Sequence, residues 1–192
     1  MNHTLLISAL CLLLLGCSDC EKCKNEEYLE EDSLTWNSHR ISNIGIALQD
    51  LNLKDLETLD QPAYRMFYHH AFDEYEKFIQ ISKTNSGYEL TENTFDVTYT
   101  DDQWGALPIK TVKISISEVQ WNEFEAKIYE SKFWTLPKPM NQQGLDGYIV
   151  VLEGYRPEAQ KCNKRTYQLI CRWSPEPGPL RDAIKLLLGY TK

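Results

Sequence analysis

From Gln61 onward the chain alternates polar and apolar residues with a period of two, in short runs separated by turn residues. Successive strand residues point to opposite faces, so this pattern lays one face on a core and turns the other to water. In the first run, Tyr64, Met66, Tyr68, His70 and Phe72 share one face, and Arg65, Phe67 and His69 share the other. Residues 76–83 read as a second strand, closed by the turn Asn85-Ser86-Gly87. Phe95, Val97 and Tyr99 alternate with Thr94, Asp96, Thr98 and Thr100, a half-buried strand. Val112, Ile114 and Ile116 repeat the pattern after Pro108. Tyr148 to Tyr155 and Thr166 to Trp173 read as an antiparallel pair. On the last run Tyr167, Leu169, Cys171 and Trp173 form the apolar face, which predicts Cys171 as a core residue.

Two helices complete the pattern. Ser117 and Gln120 make a capping box. Trp121, Phe124 and Ile128 then fall on one helical face, with Glu118, Glu125 and Lys132 toward water. Phe133-Trp134 closes this helix before Pro137 and Pro139. Pro179 opens the second helix, Leu180, Ile184, Leu187 and Leu188 form its buried stripe, and Gly189 is its predicted stop. Upstream, residues 41–60 predict a short helix and a packed turn. Their LNLKDLETL imitates a single leucine-rich repeat, and one copy cannot make a solenoid. Strand runs with helices between and after them predict an α+β fold, an antiparallel sheet of about six strands with two helices packed on one face.

The N-terminus carries a different message. Leu5 to Leu15 is apolar and is followed by Gly16 and Cys17. A helix that spans a bilayer needs about 20 apolar residues, so this run is too short to span and has the length of a secretory signal core. Leu14-Leu15-Gly16-Cys17 resembles the lipobox of bacterial lipoproteins, although Asn2-His3-Thr4 supplies no Lys or Arg. The resemblance implies removal of residues 1–16 and lipidation of Cys17, with the palmitoyl-type chains of a diacylglycerol. Each buried methylene is worth about 0.8 kcal/mol, so two or more chains hold stably without an apolar helix. Ser18 after the cysteine implies, by the same resemblance, the outer membrane of a bacterial cell envelope.

Charge divides the mature chain. Residues 18–33 carry seven acids against Lys22 and Lys24, a net of −5 within a total of −8. Such a block is solvated and extended. The organisation read from the sequence is therefore 1–16 signal peptide, 17–40 acidic tether and 41–192 a single α+β domain. There is no basic footprint for nucleic acid.

Once Cys11 and Cys17 are assigned to the leader and the anchor, Cys20, Cys23, Cys162 and Cys171 remain. In an oxidising compartment they can form disulfides, with three pairings open. Cys162 and Cys171 can pair only if the connection between them folds back, because bridged Cα atoms lie within about 7 Å. A four-cysteine zinc site is the alternative, but the wide spacing and acidic setting disfavour it, and no metal or cofactor is predicted. Cys20-x-x-Cys23 has no strand–helix context for redox chemistry.

Residues 64–188 resemble a group of uncharacterised bacterial proteins. The resemblance rests on YRMFYHHAF (64–72), Phe133-Trp134, the loop Gly144, Asp146 and Gly147 leading to Leu152-Glu153-Gly154, and Arg172-Trp173-Ser174-Pro175. This chain departs from the pattern at Val150 and at Tyr167-Gln168, where Trp and Tyr-His are usual. The resemblance supports the fold boundaries and carries no activity.

Candidate chemistry is sparse. Asp146 and Glu153 could act as acid and base, with Arg172 as an anion clamp. Turn support by Asp146 and pairing of Glu153 with an arginine across the sheet explain the same residue types, and are favoured. His69 and His70 are adjacent on a strand and cannot both ligate one metal; His70 reads as a hydrogen-bonded sheet-face residue. Ser174-Pro175 lacks a nucleophile-elbow setting. Trp104, in the polar stretch DDQWGAL, is predicted as a loop residue and an exposed contact. The sequence thus points to a lipid-anchored envelope protein that binds a protein partner or serves a structural role. An immunity-like inhibitor of a secreted toxin is the alternative, and a hydrolase the third reading.

Overall fold

The computed structural model describes residues 53–100, 103–136, 147–162 and 164–192. Six strands form one antiparallel sheet: β1 (Ala63–His70), β2 (Glu76–Thr84), β3 (Gly87–Thr100), β4 (Gln103–Ile116), β5 (Tyr148–Tyr155) and β6 (Tyr167–Trp173). Their order is β4-β3-β2-β1-β5-β6. The first four strands are a meander. The chain then crosses through α1 (Glu118–Glu130) to β5 beside β1, adds β6 at the far edge, and ends in α2 (Pro179–Tyr190).

Both helices pack on one face, as the stripes predict. Trp121, Phe124 and Ile128 of α1 join Ala183, Ile184 and Leu187 of α2 over Tyr64, Met66, Ile79, Ile81, Leu90, Val150, Leu152 and Ile170. The capping box at Ser117 is present in both directions: the Gln120 N–H donates to Ser117 Oγ, and the Ser117 N–H donates to Gln120 Oε1. Lys132, at φ 56°, turns the chain out of α1 into the short 3-10 turn Phe133–Thr135, which buries Phe133 and Trp134. Glu125, predicted to face water, lies at the margin of the core and receives the Tyr64 hydroxyl at 3.4 Å. Gly189 does not stop α2, which runs to Tyr190. The Tyr190 hydroxyl donates to Gln120 O at 2.9 Å and its ring packs on the core, holding the last turn.

The opposite face is also buried at its centre, where Phe67, Phe78, Phe95, Val151 and Leu169 cluster with Leu53, Ile149, Tyr167 and Cys171. This is the face that carries Tyr167, Leu169 and Cys171, so Cys171 is half-buried away from the helices rather than beneath them. The expected half-buried strands are therefore fully buried at the middle of the sheet. Val150, Val151, Leu152, Glu153 and Gly154 are all inaccessible in succession. Ahead of β1, the predicted packed turn is the 3-10 turn Leu56–Thr58, with Leu56 buried. The helix predicted further upstream lies outside the described residues.

Two other expectations change at the β3–β4 hairpin. The strand does not begin after Pro108, and Trp104 is not in a loop: β4 starts at Gln103 and Trp104 pairs with Tyr99. Proline lacks an N–H and is excluded from central strands, but β4 is an edge. Pro108 also sits at the register shift between Thr94 and Phe95, where Ile109 has no partner across the hairpin. A bulge, a proline and the exposed Lys110 and Lys113 together discourage pairing of this edge with another chain. Phe72, likewise, lies beyond the strand, which ends at His70.

Gly154 faces Tyr64 in the register of β1 and β5. A Cβ there would lie 2.8 Å from ring carbons of both Tyr64 and Phe133. Replacing glycine by alanine gains about 0.4–1 kcal/mol through the unfolded chain where the site has room. Here two fully buried rings would have to move, and overpacking costs about 1–3 kcal/mol. Gly154→Ala is therefore expected to lower the urea midpoint with an unchanged m-value. A raised midpoint would show that the rings yield freely.

Candidate functional site

Glu153 stands in β5 on the face away from the helices, where its neighbours along the strand are Val151 and Tyr155. It is 1% exposed. The register of β1 against β5 places Arg65 directly opposite, on the face away from the helices. Arg65 Nη1 donates to Glu153 Oε1 at 2.9 Å, and the Tyr167 hydroxyl of β6 donates to Glu153 Oε2 at 2.8 Å. Both carboxylate oxygens are thus engaged. Arg65 itself is 2% exposed. Its remaining donors meet Gln80 Oε1 of β2 at 3.1 and 3.2 Å and the Lys54 carbonyl at 2.5 Å. The network joins β2, β1, β5 and β6 in one row and pins the segment before β1 onto the sheet. Burial pushes the Glu153 carboxyl above its ordinary range, while Arg65 and the Tyr167 hydroxyl hold it back.

Of the trio proposed from sequence, the described part is not brought together. Arg172 pairs with Val150 in the register of β5 and β6, whereas Glu153 pairs with Leu169, so the two side chains lie on opposite faces of the sheet. Arg172 Nη1 donates to the adjacent Cys171 carbonyl at 2.8 Å. Asp146 lies outside the described residues. The cross-sheet arginine partner for Glu153, the favoured reading, is present and is Arg65.

The two histidines diverge as the strand period requires. His69 Nδ1 lies 2.6 Å from Glu76 Oε1 on the face away from the helices, and burial is the main influence raising the Glu76 carboxyl, opposed by His69. The residues in register around this pair are Phe67, Phe78, Phe95 and Ile149, which offer no group to exchange a proton with. His70 lies on the helix-side face, where the Phe72 N–H donates to its Nδ1 at 3.2 Å. It is a hydrogen-bonded sheet-face residue, as the strand pattern predicts. Its ring lies among those of Tyr68, Phe72 and Tyr148.

Cys162 ends the 3-10 turn Pro157–Cys162, and Cys171 is on β6; they are not joined to each other. Cys17, Cys20 and Cys23 lie outside the described residues, as does the leader. Among the described residues, no three His, Cys, Asp or Glu side chains are grouped to hold a metal ion. Also among them, no helix is long and apolar enough to cross a membrane.

Sequence reasoning missed three buried polar anchors. Arg156 is held over the Trp134 ring at 3.9 Å and donates from Nε to the Arg165 carbonyl. Gln168 Nε2 donates to the carbonyls of Phe133 and Leu136, which ties the 3-10 turn to β6. Glu92 is bridged to Lys77 at 3.3 Å and accepts from the Thr191 hydroxyl, fastening the end of the chain. For Gln168 and Glu92 the only sequence signal is a polar residue at a core-facing strand position, and Arg156 follows directly on the end of β5. No protein-family model matches the chain, and no curated protein matches it.

Proposed function

We propose that this protein is a lipid-anchored lipoprotein of the bacterial cell envelope whose domain works by binding rather than by catalysis. The observation that carries the reading is the sequence Leu14-Leu15-Gly16-Cys17 at the end of a leader too short to span a bilayer. Ser18 favours the outer membrane. The binding half of the proposal draws support from Glu153. Of the two carboxylates singled out from the sequence it is the one within the described residues, and its oxygens are consumed by Arg65 and Tyr167 out of reach of solvent. An acid or base must come within hydrogen-bond reach of the group it serves.

The test is covalent. In cells fed labelled palmitate, the native chain is expected to incorporate label and sediment with the envelope. Cys17→Ser is expected to lose both, because one thioether is the whole attachment. Label absent from the native chain, or Cys17→Ser still sedimenting with envelopes, sinks the anchor. Turnover by the purified chain on a broad hydrolase panel sinks the non-catalytic reading.

A further inference from the structure

The exposed apolar side chains are unevenly placed. Among the described residues the large exposed ones are Phe72 at 75%, Leu107 at 63%, Ile109 at 50%, Tyr75 at 38%, and Val119. Val119 lies at the start of α1, at the end of the sheet where β4 finishes. The others gather at the opposite end. Phe72 and Tyr75 are on the turn between β1 and β2. The register Glu76 with Phe95, and Asp96 with Leu107, carries the β3–β4 hairpin past that turn. Asp96 is close enough to Tyr75 to raise its phenol, behind the larger effect of Glu74.

This end is also acidic. Asp73 and Glu74 are exposed between the two aromatics, and Asp96 stands on the neighbouring strand. Three nearby bases already face acids, Lys77 with Glu92, His69 with Glu76 and His70 with Asp73 at 3.7 Å, and Lys110 is a partial counterweight to Glu74 and Asp96. Exposed apolar side chains gathered at one end of a sheet mark an interaction site, and the charge around them selects the partner. An anionic bilayer would be repelled by these acids. The bulge, Pro108 and the lysines also oppose edge pairing with a second copy.

We infer that the end of the sheet formed by Phe72, Tyr75, Leu107 and Ile109, with Asp73, Glu74 and Asp96, docks a basic protein surface. This rests on the binding reading above and names its face and partner chemistry. Aromatics at the centre of such a contact supply the hold, and the acids supply selectivity and a salt-sensitive approach.

The experiment places a photo-crosslinking residue at Phe72 of the full-length chain in its own cells, with Ser86 and Val119 at the far end as controls. The expected result is an adduct from Phe72 alone, to a protein with a basic surface. Asp73→Lys with Glu74→Lys should reduce it about tenfold or more, and Asp73→Asn with Glu74→Gln by less. Both pairs are in an exposed turn, with Asp73 half-exposed beside His70, and thermal melting checks that each still folds. A Phe72 adduct insensitive to charge reversal, or one to lipid, overturns the proposal. Adducts from Ser86 or Val119 alone overturn this face but leave the binding reading standing. Adducts from none of the three positions overturn the proposal, and activity with no partner detected by any route overturns the binding reading as well.

Discussion

Replacing Arg65 by methionine should cost this fold about 3–5 kcal/mol, the range for removing one partner of a buried ion pair. The aliphatic stem is preserved, so the loss is one of charge and donors rather than of volume. Glu153 would be left in a site closed to water with only the Tyr167 hydroxyl, and Gln80 and the Lys54 carbonyl would lose their donor. The double variant Arg65→Met with Glu153→Gln is expected to recover a substantial part of the loss, because no unpaired charge then remains. Chemical unfolding of the four members of the cycle measures this. A double variant no better than Arg65→Met would assign the effect to the lost Lys54 and Gln80 contacts.

The same variant has a predictable pH dependence. Burial already holds the Glu153 carboxyl above its ordinary value in the folded protein, and Arg65 is the main influence opposing it. A carboxyl raised by folding favours the native state while protonated. That advantage is complete below the unfolded value and is lost as pH rises through the folded one. Without Arg65 the folded value rises further, so Arg65→Met should be most damaging at neutral pH and less so below the ordinary carboxylate range. In the Glu153→Gln background the effect of Arg65→Met should be nearly flat with pH. A penalty that grows on acidification would contradict the assignment.

The parts of this fold that were legible are those written in local period and caps. The alternation of 64–70, the capping box at Ser117 and the stripe of Leu180, Ile184 and Leu187 each report a face through neighbours a few residues away. What escaped depends on distant register. Pro108 reads as a break in any isolated stretch, and only its place on an edge, beside a bulge, lets β4 continue through it. Leu169 and Cys171 announce an apolar face but not which of two buried faces it is. Glu153 and Arg65 lie 88 residues apart, so the pairing of β1 with β5 alone separates a structural ion pair from an acid waiting for substrate. Asp146 and Arg172 looked like its companions because they are near in sequence or in motif. Strand parity sends Arg172 to the other face.

Tyr64 is the other residue on which the fold should prove most dependent. Its ring lies within aromatic distance of four others: Trp121 at 5.9 Å, Phe124 at 5.1 Å, Phe133 at 6.3 Å and Trp134 at 6.0 Å between centroids. These come from α1 and from the turn after it, so one strand residue fastens the helix layer to the sheet. Gly154 opposite leaves the space that the ring occupies. Truncating a buried aromatic to alanine costs about 3–5 kcal/mol in lost transfer energy and cavity. Tyr64→Ala should reach the upper part of that range, since edge-to-face pairs add about 0.5–1.5 kcal/mol beyond burial. The hydroxyl matters far less. It meets Glu125 at 3.4 Å, and burial pushes the phenol well above its usual range, so it stays protonated. Tyr64→Phe is expected to cost under about 1 kcal/mol. The contrast is measured by chemical unfolding, with near-ultraviolet dichroism reporting the loosened Trp121 and Trp134 in Tyr64→Ala. Gly154→Ala should then be less harmful in the Tyr64→Ala background than in the native one, because one of the two rings it strikes is gone. Equal penalties in both backgrounds would place the obstruction on Phe133 alone.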